Sequence, residues 1–269
     1  MTPGIVRGRP KWIAVLPITL AILACEGNAQ AAGWLRCAPS AAHGLGAVDS
    51  MLYTNSREAF LANYARGFRV FEIDLRYTRD SVLVLAHDWN TRERQEFKGD
   101  IPSLAAFRAT KSYGKYTPLT FTDALQLLNQ YADAKAILDL KPGPRATASD
   151  ALREITRVNR ALISRVAPQV WSDADAKALR SLAEWPLVYS LHFAEASDNS
   201  VMMTVGRYRV GAVVLDRFRW STSLAARLRR AGVGLYLSVV NTNPEARLYR
   251  SWGVQGFYTD LLAPDSLCW

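Results

Sequence analysis

Glu72 and Asp74 are charged residues inside a strand, Arg69-Val70-Phe71-Glu72-Ile73-Asp74-Leu75, that is otherwise apolar after Arg69. Side chains alternate along a strand, so Phe71, Ile73 and Leu75 share one face and the two carboxylates share the other. Two carboxylates buried side by side repel unless a proton or a cation lies between them. A hard divalent cation, Ca²⁺ or Mg²⁺, takes oxygen ligands of this kind. The same spacing returns in Ile137-Leu138-Asp139-Leu140-Lys141. There Asp139 would complete a metal's carboxylate set, and Lys141 would face a substrate anion. Taken alone, the Asp139–Lys141 pair reads equally well as a salt bridge.

Two histidines bracket the acidic pair. His43 ends a first short strand, and His87 ends the return strand of a hairpin, in Leu85-Ala86-His87-Asp88-Trp89. Imidazoles on opposite sides of a metal-bound anion can act as general base and general acid near neutral pH. Inline displacement at phosphorus needs one group to deprotonate the attacking hydroxyl and one to protonate the departing alkoxide. It also needs positive charge on the non-bridging oxygens. His192 also ends a strand and reads as a bystander. Asn55 reads as a helix cap rather than a ligand. Asp216, Asn241 and Asp260 end strands as well, without an assigned role.

These residues need a scaffold that gathers strand ends. Apolar runs at Ser40–His43, Arg69–Tyr77, Val82–Ala86, Ala136–Leu140, Ala167–Trp171, Leu187–Leu191, Gly211–Leu215, Gly234–Val240 and Gln255–Thr259 read as strands. Thr78-Arg79-Asp80-Ser81 turns the second run back into the third. Helical patterns fall at Asn55–Ala65, Thr122–Tyr131, Ser149–Val166, Asp173–Leu182, Ser223–Arg230 and from Asn243 to Gly253. Glu58 follows Asn55 by three residues, as in a capping box. Pro244 sits at the first position of a helix capped by Asn243. Alternation of this kind implies a parallel sheet with right-handed crossovers. Eight such units, lacking only a last helix, suit a single-domain α/β fold, a TIM-type (β/α)8 barrel, over residues 32–269. A doubly wound open sheet is the alternative, although no G-x-G-x-x-G follows a strand. In a barrel the chemistry-bearing residues would gather at the C-terminal mouth.

Composition narrows the rest. Of the 269 residues, 49% are hydrophobic and 21% charged, which supports a large core and excludes a mainly disordered chain. The formal charge is +9. The arginines are scattered and no basic block exceeds the pair Arg229-Arg230, so nucleic acid is not the expected partner. Arg7, Arg9 and Lys11 precede an apolar run from Trp12 to Cys25, followed by Ala29 and Ala31 at small-x-small spacing. Residues 1–31 therefore read as a secretory signal peptide, and the protein as periplasmic or secreted. Ile22-Leu23-Ala24-Cys25 is a weaker lipoprotein box. Cys37 and Cys268 would remain in the mature chain, where an oxidising compartment permits them to pair.

The run from Ala42 to Arg92 resembles the glycerophosphodiester phosphodiesterase family of the phospholipase-C-like phosphodiesterases. The matching pieces are His43-Gly44, Thr54-Asn55-Ser56-Arg57-Glu58-Ala59-Phe60, Gly67, Glu72-Ile73-Asp74, Thr78-Arg79-Asp80 and His87-Asp88. Leu138-Asp139-Leu140-Lys141 resembles the family's third-strand motif, and Trp252–Asp260 its closing strand. The resemblance implies a TIM-type barrel and metal-dependent phosphodiester cleavage. By motif match, Glu72, Asp74 and Asp139 would bind Ca²⁺ or Mg²⁺, His43 and His87 would be the acid–base pair, and Lys141 would contact the phosphate. The expected partner is a small phosphodiester or lipid-derived substrate, with peripheral membrane contact as an addition. An enzyme resembling sphingomyelinase D and acting on intact phospholipid, or a non-catalytic envelope binding barrel, is the competing reading. The chain departs from the family in four places. Gly44 follows His43 where Arg is usual, and Asp139 stands where Glu is frequent. The tryptophan common on the seventh strand is replaced near Ser238, and no small helical insertion is evident.

Overall fold

The computed structural model describes residues 1, 33–36, 40–141, 144–191 and 196–264. The signal-peptide reading beyond Met1, the roles considered for Cys25, Cys37 and Cys268, and His192 all fall outside the described residues.

Eight parallel strands close into a barrel. They are β1 (Ser40–Ala42), β2 (Val70–Tyr77), β4 (Lys135–Leu140), β5 (Val166–Val170), β6 (Leu187–Ser190), β7 (Val210–Asp216), β8 (Gly234–Ser238) and β9 (Gly256–Thr259). Closure is made by β1, which pairs with β9 on one side and, through Ala42 and Phe71, with β2 on the other. That second pairing rules out the open sheet. A ninth strand, β3 (Leu83–Leu85), folds back antiparallel on the far end of β2.

Helices surround the barrel: α1 (Arg57–Ala65), α2 (Leu104–Ala109), α3 (Phe121–Gln130), α4 (Pro144–Asn159), α5 (Asp173–Arg180), α6 (Asp198–Tyr208), α7 (Thr222–Arg230) and α8 (Asn243–Ser251). Their starts are chemically explicit. Thr120 and Asp123 form a reciprocal capping box on α3, and Ser172 accepts from the Asp175 N–H on α5. Two expected caps move by one residue. Ser56, not Asn55, caps α1, and Glu58 binds the Thr117 backbone N–H and hydroxyl instead of closing a capping box. Thr242, not Asn243, caps α8. The sequence reading also places no helix between Ala86 and Thr122, whereas a 3-10 segment (Arg92–Phe97) and α2 lie there. It overlooks α6, whose β-branched, polar and glycine residues have low helix propensity. Val201, Thr204, Val205 and Tyr208, at helical spacing, are the residues that helix buries.

The alternation in β2 is realised as expected. Phe71, Ile73 and Leu75 face the helices, packed with Phe60, Phe121 and Leu125. Burying each such side chain contributes about 1.5–3 kcal/mol. Val70 points inward and joins Ala41, Ile137, Ala167, Val188 and Ala212 in a separate apolar plug inside the barrel. Above that plug the interior turns polar. Among the described residues, no helix is long and apolar enough to cross a membrane.

Candidate active site

β1 stops after Ala42, while β2 continues to Tyr77. β3 takes up pairing with β2 only from Leu75 onward. A notch is left beside Glu72 and Asp74, and the two histidines reach the site from either side of it. The His43 side is a tight loop in which the Gly44 N–H donates to Glu72 Oε2 at 2.7 Å. Buried Asn63 on α1 holds this loop from outside, donating to the carbonyls of Leu45 and Ala47 at 2.9 and 3.0 Å. Gly46, with φ of 80°, passes so close to Asn63 that a Cβ would lie 2.6 Å from Nδ2.

His43 Nδ1 lies 3.0 Å from Asp260 Oδ1, just past β9. Asp260 is itself fixed, since Asn241 Nδ2 donates to its Oδ2 and its own N–H donates to Asn241 Oδ1, both at 2.8 Å. Burial lowers the proton affinity of His43, but the bond to Asp260 and the charges of Glu72, Asp260 and Asp74 outweigh it. The imidazole pKa is raised to about 9. With Nδ1 committed to Asp260, Nε2 faces the acids, 4.0 Å from Glu72.

Asp74 and Asp139 are register partners on β2 and β4. Glu72, Asp74 and Asp139 are 2%, 1% and 5% exposed, so all three carboxylates are cut off from bulk water. One oxygen from each lies within 4.8 Å of the others. Lys141 Nζ is 2.5 Å from Asp139 Oδ2 and 3.1 Å from Asp74 Oδ1, so the salt-bridge reading of this lysine is realised. Asn55 donates to Asp74 Oδ2 at 2.9 Å, which is why its side chain does not cap α1. Burial, then the charge of Asp74, pushes the Glu72 carboxyl up to about 8. Burial also raises Asp139, only partly offset by Lys141. For Asp74 the same burial is outweighed by Lys141, His87 and Asn55, and its pKa is lowered. Asp139 Oδ1 is buried without a hydrogen-bond partner. An all-oxygen donor set, one carboxyl forced toward protonation and an orphaned acceptor fit a hard divalent cation.

His87 is delivered by the hairpin. β2 and β3 run past the barrel rim, and the return strand brings His87 back beside Asp74, with the Ala86 N–H donating to the Asp74 carbonyl at 3.1 Å. Arg76 pins this segment, donating to the His87 carbonyl at 2.7 Å and lying 3.3 Å from Asp88. Both histidines, the three acids and Lys141 line one cavity of about 240 Å³, with Tyr53, Gln169, Trp171 and Tyr258 also on its wall. All six residues singled out in the sequence thus converge. Sequence reasoning missed Asn63, Arg76 and Tyr53. It noted Asn241 and Asp260 only as strand-end polar residues. The contact of Asp260 with His43 spans 217 residues, and no local spacing signals it or the support that Asn241 gives to Asp260.

A closed parallel barrel carrying acidic side chains and two histidines at one mouth defines a class of metal-assisted barrel enzymes. Residues 46–263 match the model of the Glycerophosphoryl diester phosphodiesterase family, and the chain belongs to that family of phosphodiester hydrolases. No match was found among curated proteins. Among solved structures, a phosphodiesterase from Oleispira antarctica in complex with the product sn-glycerol-3-phosphate superposes with a TM-score of 0.70 at 15% identity, covering 86% of this chain and 95% of that one. A glycerophosphodiester phosphodiesterase from Parabacteroides distasonis gives 0.67 at 16%, covering 83% and 92%. One from Thermotoga maritima gives 0.64 at 17%, covering 83% and 94%. Each shares the barrel.

Proposed function

We propose that the protein hydrolyses glycerophosphodiesters or related lipid head-group diesters, with His43 and His87 as the acid–base pair. The observation that carries this reading is the placement of both imidazoles on the wall of the one cavity that also holds three carboxylates and Lys141. Glu72, Asp74 and Asp139 would hold Ca²⁺ or Mg²⁺, which supplies positive charge to the non-bridging phosphoryl oxygens when bound. Lys141 adds an ammonium donor on the same side. One imidazole takes the proton of the attacking water or of a substrate hydroxyl as the new P–O bond forms. The other gives a proton to the alcohol oxygen as the old P–O bond breaks. Attack by water releases a phosphomonoester and the alcohol; attack by the substrate's own hydroxyl releases a cyclic phosphate. Asp260 keeps His43 Nε2 turned inward throughout. Activity on a panel of glycerophosphodiesters, lost with chelator and regained with Ca²⁺ or Mg²⁺, tests this reading. Metal-independent or absent hydrolysis sinks it.

We further propose that residues 1–31 act as a secretory leader and that the activity is periplasmic or secreted, a reading supported by Arg7, Arg9 and Lys11 ahead of the apolar run from Trp12 to Cys25. N-terminal sequencing of the exported protein tests it, with a mature chain beginning after Ala31 as the expected result. Contact with a lipid surface is supported by Phe218 and Leu261, which are 87% and 48% exposed just beyond β7 and β9, at the mouth of the cavity. Co-sedimentation with anionic vesicles, weakened by Phe218→Ser, tests that contact.

A further inference from the structure

The geometry points to Tyr53 as a positioning residue, an aromatic wedge that sets the angle and separation of the two imidazoles. The inference rests on the acid–base reading above. The ring centroid of Tyr53 lies 4.8 Å from that of His43, at 77° between planes, and 5.2 Å from that of His87, at 59°. It thus touches both imidazoles, which arrive on separate segments of chain. The hydroxyl contributes no hydrogen bond to a described residue, so it is the ring that makes these contacts. Aromatic groups prefer edge-on and tilted contacts at such distances, and these fix relative orientation.

Two backbone features show that the wedge is held deliberately. Tyr53 has φ of 55°, a left-handed conformation that bulky residues rarely adopt and that persists only where the surroundings impose it. Gly44, next to His43, lies against it. A Cβ at position 44 would come within 3.2 Å of Tyr53 Cα and 3.5 Å of its ring. Tyr53 therefore fills the space that a side chain directly after His43 would enter, and the glycine at that position and the tyrosine form one packing unit.

Misplacing a reacting group by about 1 Å can cost about 10²-fold in rate. Tyr53→Gly suits the left-handed backbone while deleting the wedge, and Tyr53→Phe keeps the ring. The expected result is a kcat loss of about 10²-fold in Tyr53→Gly with KM little changed, and near-normal kcat in Tyr53→Phe. Independently of turnover, the Cε1–H proton resonances of both His43 and His87, assigned with His→Gln variants, should move in Tyr53→Gly and stay in Tyr53→Phe. Unmoved resonances, wild-type kcat in Tyr53→Gly, or an equal loss in Tyr53→Phe would overturn the wedge. Absence of hydrolysis by the wild type, with the resonances moving as expected, would count against the diesterase reading and leave the wedge standing.

Discussion

Asp74 and Asp139 stand side by side on neighbouring parallel strands, and the ammonium of Lys141 rests against both. A buried like-charge pair of this kind needs a cation, and this chain carries one of its own in the same strand motif as Asp139. Lys141→Met removes it. Truncating one partner of a buried ion pair costs about 3–5 kcal/mol, and this is the expected loss in chelator. Ca²⁺ or Mg²⁺ should then stabilise the variant more than the wild type. Thermal melts with and without metal check both effects, and equal metal responses would show that Lys141 and the metal do not share the same carboxylates.

The pH dependence of the metal-free protein follows from two raised pKa values. His43, raised from 6.5 to about 9, contributes stability that is fully present below pH 6.5 and is lost as pH rises through 9. Glu72, raised from 4.5 to about 8, binds its proton more tightly in the folded state, so stability also falls between pH 4.5 and 8. Both act in the same direction. The metal-free protein should lose stability steadily from about pH 5 to 9. A divalent cation competes with these protons, so added metal should raise Tm more at pH 8.5 than at pH 5.5. A flat or rising Tm over that interval in chelator would contradict the assignment.

Removing either imidazole should lower kcat by about 10²–10⁴-fold, the usual contribution of a general acid or base. Asp260→Asn is a milder test, because it keeps shape and removes the charge that orients His43. A kcat loss of at least about tenfold is expected, with an acid shift in the limb of the pH–rate profile that belongs to His43. Steady-state kinetics across pH, with circular dichroism to confirm folding, measures it. An unchanged profile would show that Asp260 serves only to anchor its own loop.

Asn63→Ala tests the outer support of the His43 loop. It leaves the buried carbonyls of Leu45 and Ala47 without this donor. Each orphaned group costs about 1–3 kcal/mol, so a loss of about 2–6 kcal/mol is expected in urea unfolding. Gly46→Ala should be similarly damaging, since its Cβ would collide with the Asn63 amide.

The strands and their inward residues were legible because period-two alternation is local. Glu72 and Asp74 had to share a face opposite Phe71 and Ile73, whatever the surrounding fold. Strand ends were legible for the same reason, which is how His43, His87, Asp139 and Lys141 could be placed at one mouth. Contacts made through topology were not legible. Asp260 reaches His43 because β9 and β1 are neighbours in the closed barrel, and Asn55, held by Asp74 across the fold, leaves the cap of α1 to the adjacent Ser56. Tyr53 carries no sequence signal for its φ of 55°, a value more usual for asparagine or glycine. Helices α2 and α6 escaped because one is only six residues long and the other has weak intrinsic propensity.

The pairing of β1 with β9 makes competence a property of the closed barrel. The reactive imidazole on the first stave leans on a carboxylate that follows the closing stave, 217 residues further along the chain. A ribosome-bound or truncated precursor ending before Asp260 would possess both histidines and all three acids, yet lack the brace that aims one of them. A phosphodiester hydrolase organised in this way stays idle until its barrel has shut.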